Sequence, residues 1–137
     1  MRTEFLEEKN KARIQLGQKG EQLAWDYLVK KGYRILDKNY RCRLGEIDVV
    51  AEKGRRITVI EIRTCSGERF GRPEESIGAV KQRKLVRLAE WYLKDKKKMG
   101  CRVSFDVVAV TFRGNEFQEI RLIENAFSAD GLEKIYG

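Results

Sequence analysis

A mixed central β-sheet with flanking helices, α/β in class, is the architecture that the patterning of this 137-residue chain predicts. Three features carry that prediction. A helical stripe runs from Gly17 to Lys31. Two β-branched runs flank a tight turn at Gly54. A long amphipathic stretch from Pro73 to about Lys98 precedes two further strand-like runs. The predicted order is helix, three strands, long helix, two strands, in one domain over residues 1–137.

The elements follow in order. Residues 1–16 are highly charged, with Phe5, Leu6, Ile14 and Leu16 the only large apolar groups. They read as a solvated leader, a flexible arm over residues 1–15, with a frayed helix as the alternative. From Gly17 the residues Leu16, Gly20, Leu23, Ala24, Tyr27 and Leu28 share one helical face, and Gly32 stops the helix. Glu21 borders that stripe. An acid there is ordinarily solvated, or it points sideways into a site between helix and sheet.

Tyr33 to Tyr40 reads as a short strand, and the hairpin follows it. With Gly54 and Arg55 as a two-residue turn, and Gly54 supplying the positive φ of a type II′ geometry, Lys53 faces Arg56 and Asp48 falls opposite Glu61. Alternation of faces then places Glu46, Asp48 and Val50 against Val59, Glu61 and Arg63 on one side. Ile47, Val49 and Ala51 oppose Ile62, Ile60 and Thr58 on the other, core-like side. The Cβ atoms of Asp48 and Glu61 should lie ~5 Å apart, and like charges so placed destabilise a sheet unless something compensates. A divalent cation would do so.

Cys65 to Pro73 has loop chemistry, and Pro73, Glu74 and Glu75 suit a helix start. At ~100° per residue, Ile77, Val80, Leu85, Leu88, Trp91 and Tyr92 share one arc of the long helix. Lys81 and Lys84 fall in the same arc, where an ammonium is costly unless paired; snorkelling to an edge is the alternative. Lys94, Lys96, Lys97 and Lys98 make a basic helix end, favoured by the helix dipole and suited to phosphate contact. Gly100 ends the helix. Ser104 to Phe112 and Phe117 to Glu124 read as a second hairpin around a Gly-Asn turn, with Asp106 expected at the surface or an edge. The tail from Asn125 offers at most a last helical turn.

Composition narrows the chemistry. With no histidine, imidazole catalysis and the usual His/Cys zinc sites are excluded, and three widely spaced cysteines, Cys42, Cys65 and Cys101, suggest neither a disulfide framework nor a Cys-based zinc site. Chemistry here rests on carboxylates, lysines or cysteines. A net charge of +8 points to a polyanionic partner, most simply nucleic acid. No apolar run approaches the ~18 residues of a membrane helix, and the charged N-terminus lacks a signal-peptide core. No membrane association and a cytoplasmic location are therefore expected.

Asp48 and Glu61 with Arg63 form a compact acid-acid-base set. Oxygen ligands suit Mg²⁺ or Mn²⁺, which take one or two carboxylates and leave the remaining positions to water and phosphate oxygens. Such an ion polarises a phosphodiester and lowers the pKa of bound water, which is hydrolytic nuclease chemistry. The competing reading is a Glu46 to Arg63 cross-strand ion pair beside two solvated acids.

Further support comes from a set of motifs in order: GQKGEQLA at 17–24, GYRILDKNY at 32–40, GEIDVVA at 45–51, IEIRT at 60–64, FG at 70–71, FDVV at 105–108 and IENAF at 123–127. Together they resemble the UPF0102 (YraN) family over residues 14 to 127. The resemblance implies a restriction-endonuclease-like PD-(D/E)xK core, similar to Holliday junction resolvases, and so a single nuclease-like domain acting on branched or structured DNA. By position it implies that Glu21 is the helix acid, Asp48 the metal-binding aspartate and Glu61 the glutamate of the E-x-K element, with the Ile62 carbonyl as a further ligand. Related junction enzymes work as dimers, which extends the implication to a homodimer.

The chain departs from that pattern at Arg63, where the family motif has lysine. A guanidinium cannot be deprotonated in a protein, but it can hold a phosphate oxygen. In relatives of that superfamily the lysine role can migrate to the following helix, which makes Lys81, ahead of Lys84, the candidate here. Three functions stay open: a Mg²⁺-dependent endonuclease, a non-catalytic nucleic-acid binder that keeps the fold, and a basic module that meets an acidic protein. For nucleic-acid contact the candidates are Arg63, Lys84 and Lys97.

Overall fold

The computed structural model describes residues 2–66 and 77–129. The order is α1 (Arg2–Lys30), β1 (Arg34–Cys42), β2 (Gly45–Lys53), β3 (Arg56–Ser66), α2 (Ala79–Asp95), β4 (Arg102–Arg113) and β5 (Glu116–Phe127). The predicted succession of helix, three strands, helix and two strands is therefore the observed one. The five strands form one mixed sheet in the order β1-β2-β3-β4-β5. β1, β2 and β3 form an antiparallel meander, β3 and β4 run parallel, and β4 and β5 are antiparallel. A parallel neighbour requires a crossover, and α2 lies in it.

Each face of the sheet carries its own core. α2 contributes Leu85, Leu88, Ala89, Tyr92 and Leu93 to a cluster with Ile47, Val50, Ile57, Val59 and Phe105. α1 contributes Ala24 and Leu28 to a second cluster with Val49, Ala51, Ile60, Val108, Val110 and Phe112. The hairpin face that carries the two acids is thus core-like as well as the opposite one: Val50 and Val59 are as buried as Val49 and Ile60. Ile47 also packs with Val50 and not with Val49 as expected, so strict alternation breaks between them, at Asp48.

Several boundaries differ from expectation. α1 is helical from Arg2, well before Gly17; its first half is exposed but rich in Glu, Lys, Ala and Arg, which need little tertiary support to stay helical. Gly32 ends it with φ 92°, the Tyr33 N–H bonding the Leu28 carbonyl at 3.0 Å. α2 begins at Ala79, after the extended Gly78; Pro73, Glu74, Glu75 and the Phe70-Gly71 landmark lie outside the described residues. Val80 is 73% exposed, outside the apolar stripe assigned to it, because it lies roughly 80° around the axis from Leu88. α2 stops at Asp95, three residues early, with Lys97 in the left-handed region at φ 56°. β5 runs to Phe127, through the start of the expected tail.

Asp106 was expected at the surface or an edge, yet it is 1% exposed on an interior strand. Its carboxylate accepts the Tyr33 hydroxyl at 3.0 Å and the Asn125 N–H at 3.0 Å. It ties α1's exit and an irregular stretch of β5 to β4, away from the hairpin acids. Among the described residues no helix is long and apolar enough to cross a membrane.

Candidate active site

The site begins with the turn. Lys53 pairs with Arg56 across Gly54 and Arg55, and of these two only Gly54 has positive φ, at 63°, as a type II′ turn requires. The register runs back through Ala51–Thr58 and Val50–Val59 to Val49–Ile60, and backbone pairing stops there. Asp48 and Glu61 occupy what would be the next rung. At that point an Asp48 carboxylate oxygen accepts the Ile62 N–H at 2.8 Å, so a side chain replaces the missing backbone acceptor. β3 meanwhile stays paired with β4 along its whole length, which holds Glu61 in the middle of the sheet at 9% exposure.

The two carboxyls lie close enough to act on each other's protonation, Asp48 raising Glu61. Both pKa values are raised. Burial is the main cause for each, and the Asp48 charge is the next for Glu61. The Ile62 N–H and Lys81 pull Asp48 back towards its ordinary value without reversing the shift. Glu21, from α1, is raised by burial first and then by Asp48 and Glu46.

Two cations answer these acids. Lys81 Nζ lies 3.7 Å from Glu61 Oε1, and Arg63 Nε lies 3.9 Å from the same oxygen. The Arg63 Nε is buried and donates no hydrogen bond. Glu46 pairs with Arg41 at 3.5 Å. The Glu46 to Arg63 cross-strand pair, the competing reading of this motif, is therefore not the one formed, and Glu61 is not a solvated acid. Lys81 and Arg63 offset part of the shift at Glu61, and Lys81 part of that at Asp48, but burial keeps both carboxyls raised.

The structure brings Asp48, Glu61, Arg63 and Lys81 together, with Glu21 close enough to feel Asp48 electrostatically. It does not bring Lys84 or Lys97 to the acids. Lys84 lies across Gly45, where a Cβ would stand 2.8 Å from its Cε. Lys97 is exposed beyond the far end of α2, on the order of 20 Å along the axis from Lys81. Sequence reasoning missed the Asp48 to Ile62 N–H bond and the influence of Glu46. The first depends on where the ladder ends, which residue pattern does not encode; the second was signalled only by i, i+2 spacing on one strand.

Among the described residues no three His, Cys, Asp or Glu side chains converge as a ready metal cage. A pair of oxygen donors, Glu61 buried and Asp48 half-buried, still fits a hard divalent ion that keeps most of its water, since Mg²⁺ commonly takes only one or two carboxylates from the protein.

A family model described as "Uncharacterised protein family UPF0102" matches residues 20–110, a span that includes the four residues brought together here and Glu21. A UPF0102 protein of Caldicellulosiruptor saccharolyticus is 44% identical over 114 residues, 82% of this chain and 97% of that protein. One from Thermodesulfovibrio yellowstonii is 47% identical over 116 residues, 85% of this chain and 98% of its own length. One from Moorella thermoacetica is 46% identical over 112 residues, covering 81% and 93%. None of these names states an activity.

Proposed function

The chain belongs to the UPF0102 family, and from that premise we propose that it is a nuclease-like protein of the PD-(D/E)xK type that acts on branched or structured DNA. One observation carries the reading. A hairpin opens at the rung of Asp48 and Glu61, so a half-buried acid and a buried one from opposite arms meet, with a lysine 3.7 Å from Glu61. A fold stabilised for its own sake gains nothing from holding two carboxyls together out of water, and acids with raised pKa values cluster at functional sites.

In this reading Asp48 and Glu61, with the Ile62 carbonyl, would hold Mg²⁺ or Mn²⁺, which supplies a polarised phosphoryl oxygen and a more acidic water. Asp48 is oriented by the Ile62 N–H, which leaves its second oxygen available to a ligand. Lys81 stands where a lysine can receive or relay a proton beside Glu61, the role that Arg63 cannot fill. Arg63 offers a guanidinium to a phosphate oxygen at the same carboxylate.

The test is cleavage of a panel of forked, four-way and linear DNA with Mg²⁺. Asp48→Ala and Glu61→Ala should each lower cutting by at least 10²-fold, and Lys81→Met by a comparable factor. Wild-type and doubly substituted protein that cut the panel equally would remove the proposal. A second reading is favoured by Arg63 standing in the lysine position: a DNA binder without turnover. Binding without cleavage, and cleavage gained by Arg63→Lys, would select it.

A further inference from the structure

Beside the acid site the surface carries a second feature that the reaction does not use. The tip of the β1–β2 turn, Arg43 and Leu44, faces the flank of α2, and between them lies a cavity of about 440 Å³ lined by Leu44, Val80, Arg83, Lys84 and Arg87. Helical spacing puts Val80, Lys84, Arg87 and Trp91 in one narrow arc, next to the buried stripe that meets the sheet. Val80 is 73% exposed, Leu44 37% and Trp91 36%. The Arg43 guanidinium lies over the Trp91 ring, 5.5 Å from its centroid. Three basic side chains thus line the cavity with Leu44 and Val80, and Trp91, under Arg43, lies one turn further along the same helical arc. Lys84 on its lining crosses Gly45, three residues before Asp48.

We propose that this groove takes unpaired DNA nucleotides, their phosphates against Arg83, Lys84 and Arg87 and a base against Leu44, Val80 and the Trp91–Arg43 pair. The inference rests on the nucleic-acid part of the reading above and names the substrate feature recognised: an unpaired strand next to the phosphodiester at Asp48 and Glu61. Arg83, Lys84 and Arg87 line the groove, and cations so placed suit the phosphates of a polyanion. The apolar component commits it to exposed bases. A duplex buries its base faces and could use only the cations, whereas a single strand offers both a charged backbone and flat apolar rings. An acidic protein segment would satisfy the cations but leave the Trp91, Val80 and Leu44 surface without a matching partner.

The test is fluorescence anisotropy in EDTA at fixed salt, with a labelled single-stranded 12-mer, a forked duplex and a blunt duplex, and with poly-glutamate as competitor. Arg83→Glu/Arg87→Glu should weaken all three DNAs at least tenfold, while the charge-matched Lys11→Glu/Lys30→Glu should not. Trp91→Ala should weaken the 12-mer and the fork about fivefold and leave the blunt duplex unchanged. Val80→Asp, on an exposed position that the fold does not need, should do the same if Trp91→Ala fails to fold. Equal binding of the fork and the blunt duplex by wild type, indifference of the 12-mer to both Trp91→Ala and Val80→Asp, or displacement by poly-glutamate as readily as by DNA each overturns the groove. Binding in the expected pattern without Mg²⁺-dependent cleavage keeps the groove and removes the nuclease; cleavage indifferent to Trp91→Ala and Val80→Asp does the reverse.

Discussion

Asp48, Glu61 and Glu21 each keep their proton to higher pH than a carboxyl in water, with burial leading in all three and the Asp48 charge next for Glu61 and Glu21. A folded-state pKa above the unfolded one means that the native fold prefers the protonated form. The stability these groups contribute is complete below about pH 4, the unfolded range, and is lost as pH rises through the raised folded values. Metal-free protein should therefore melt lower at pH 8 than at pH 5. Asp48→Asn should flatten that slope and raise the pH 8 melting temperature by a few degrees, roughly 1 kcal/mol, as removal of a functional-site compromise commonly does. Asp106, also raised by burial, leaves a residual slope in that variant. Addition of Mg²⁺ should raise the melting temperature of the wild type at pH 8 and leave Asp48→Asn/Glu61→Gln unmoved, as thermal melts at both pH values would show. An unchanged slope in Asp48→Asn would mean that the acid pair carries no strain. At this scale the sequence was informative about identity: register alone nominated Asp48 and Glu61, and helical periodicity alone nominated Lys81 and Lys84 together without choosing between them. It misplaced Asp106 at the surface or an edge, because the partner that satisfies this buried acid, Tyr33, reaches it from 73 residues away.

Two elements owe their ends or their seating to single residues. α2 closes with the Lys98 N–H on the Leu93 carbonyl at 2.7 Å and the Lys97 N–H on that of Lys94 at 3.3 Å, with Lys97 as the left-handed residue at φ 56°. A side chain there costs about 1 kcal/mol relative to glycine. Lys97→Gly should therefore stabilise the fold by roughly 0.5–1 kcal/mol in denaturant melts, and a loss of stability would show that the lysine side chain has a structural partner. α1 presses on β3 at Gly20, where an added Cβ would overlap the Thr64 hydroxyl. Gly20→Ala gains helix propensity but must push α1 off the strand that carries Glu61, so a net loss of about 1–3 kcal/mol is expected. Thr64→Ala in the same chain should recover most of it, a coupling that urea unfolding of the single and double variants measures. Gly20 was legible as a member of the packed face. That it faces Thr64, one strand position past Arg63, was not, because the helix and β3 are joined only through the fold.

At the scale of the whole molecule, both faces of one five-stranded sheet are covered, and the acid pair sits where the β2–β3 ladder parts, between α1's Glu21 and α2's Lys81. The excess of eight positive charges, concentrated in part at Arg83, Lys84 and Arg87, should make DNA binding fall roughly tenfold or more between 50 and 200 mM salt. Anisotropy titrations across that range check this, and a flat salt response would remove the polyanion reading altogether. The order of elements, the α/β class and the hairpin register follow from local rules: 3.6- and 2-residue periods, and a glycine at a turn that admits one geometry. They were set by the sequence alone because each depends on neighbours within a few residues. Where the ladder ends, which sheet face each helix covers, that Asp48 finds the Ile62 N–H, and that Lys81 rather than Lys84 meets Glu61 were decided only in three dimensions. Those outcomes depend on sheet packing and on which polar group is left without a backbone partner, and no local pattern specifies either.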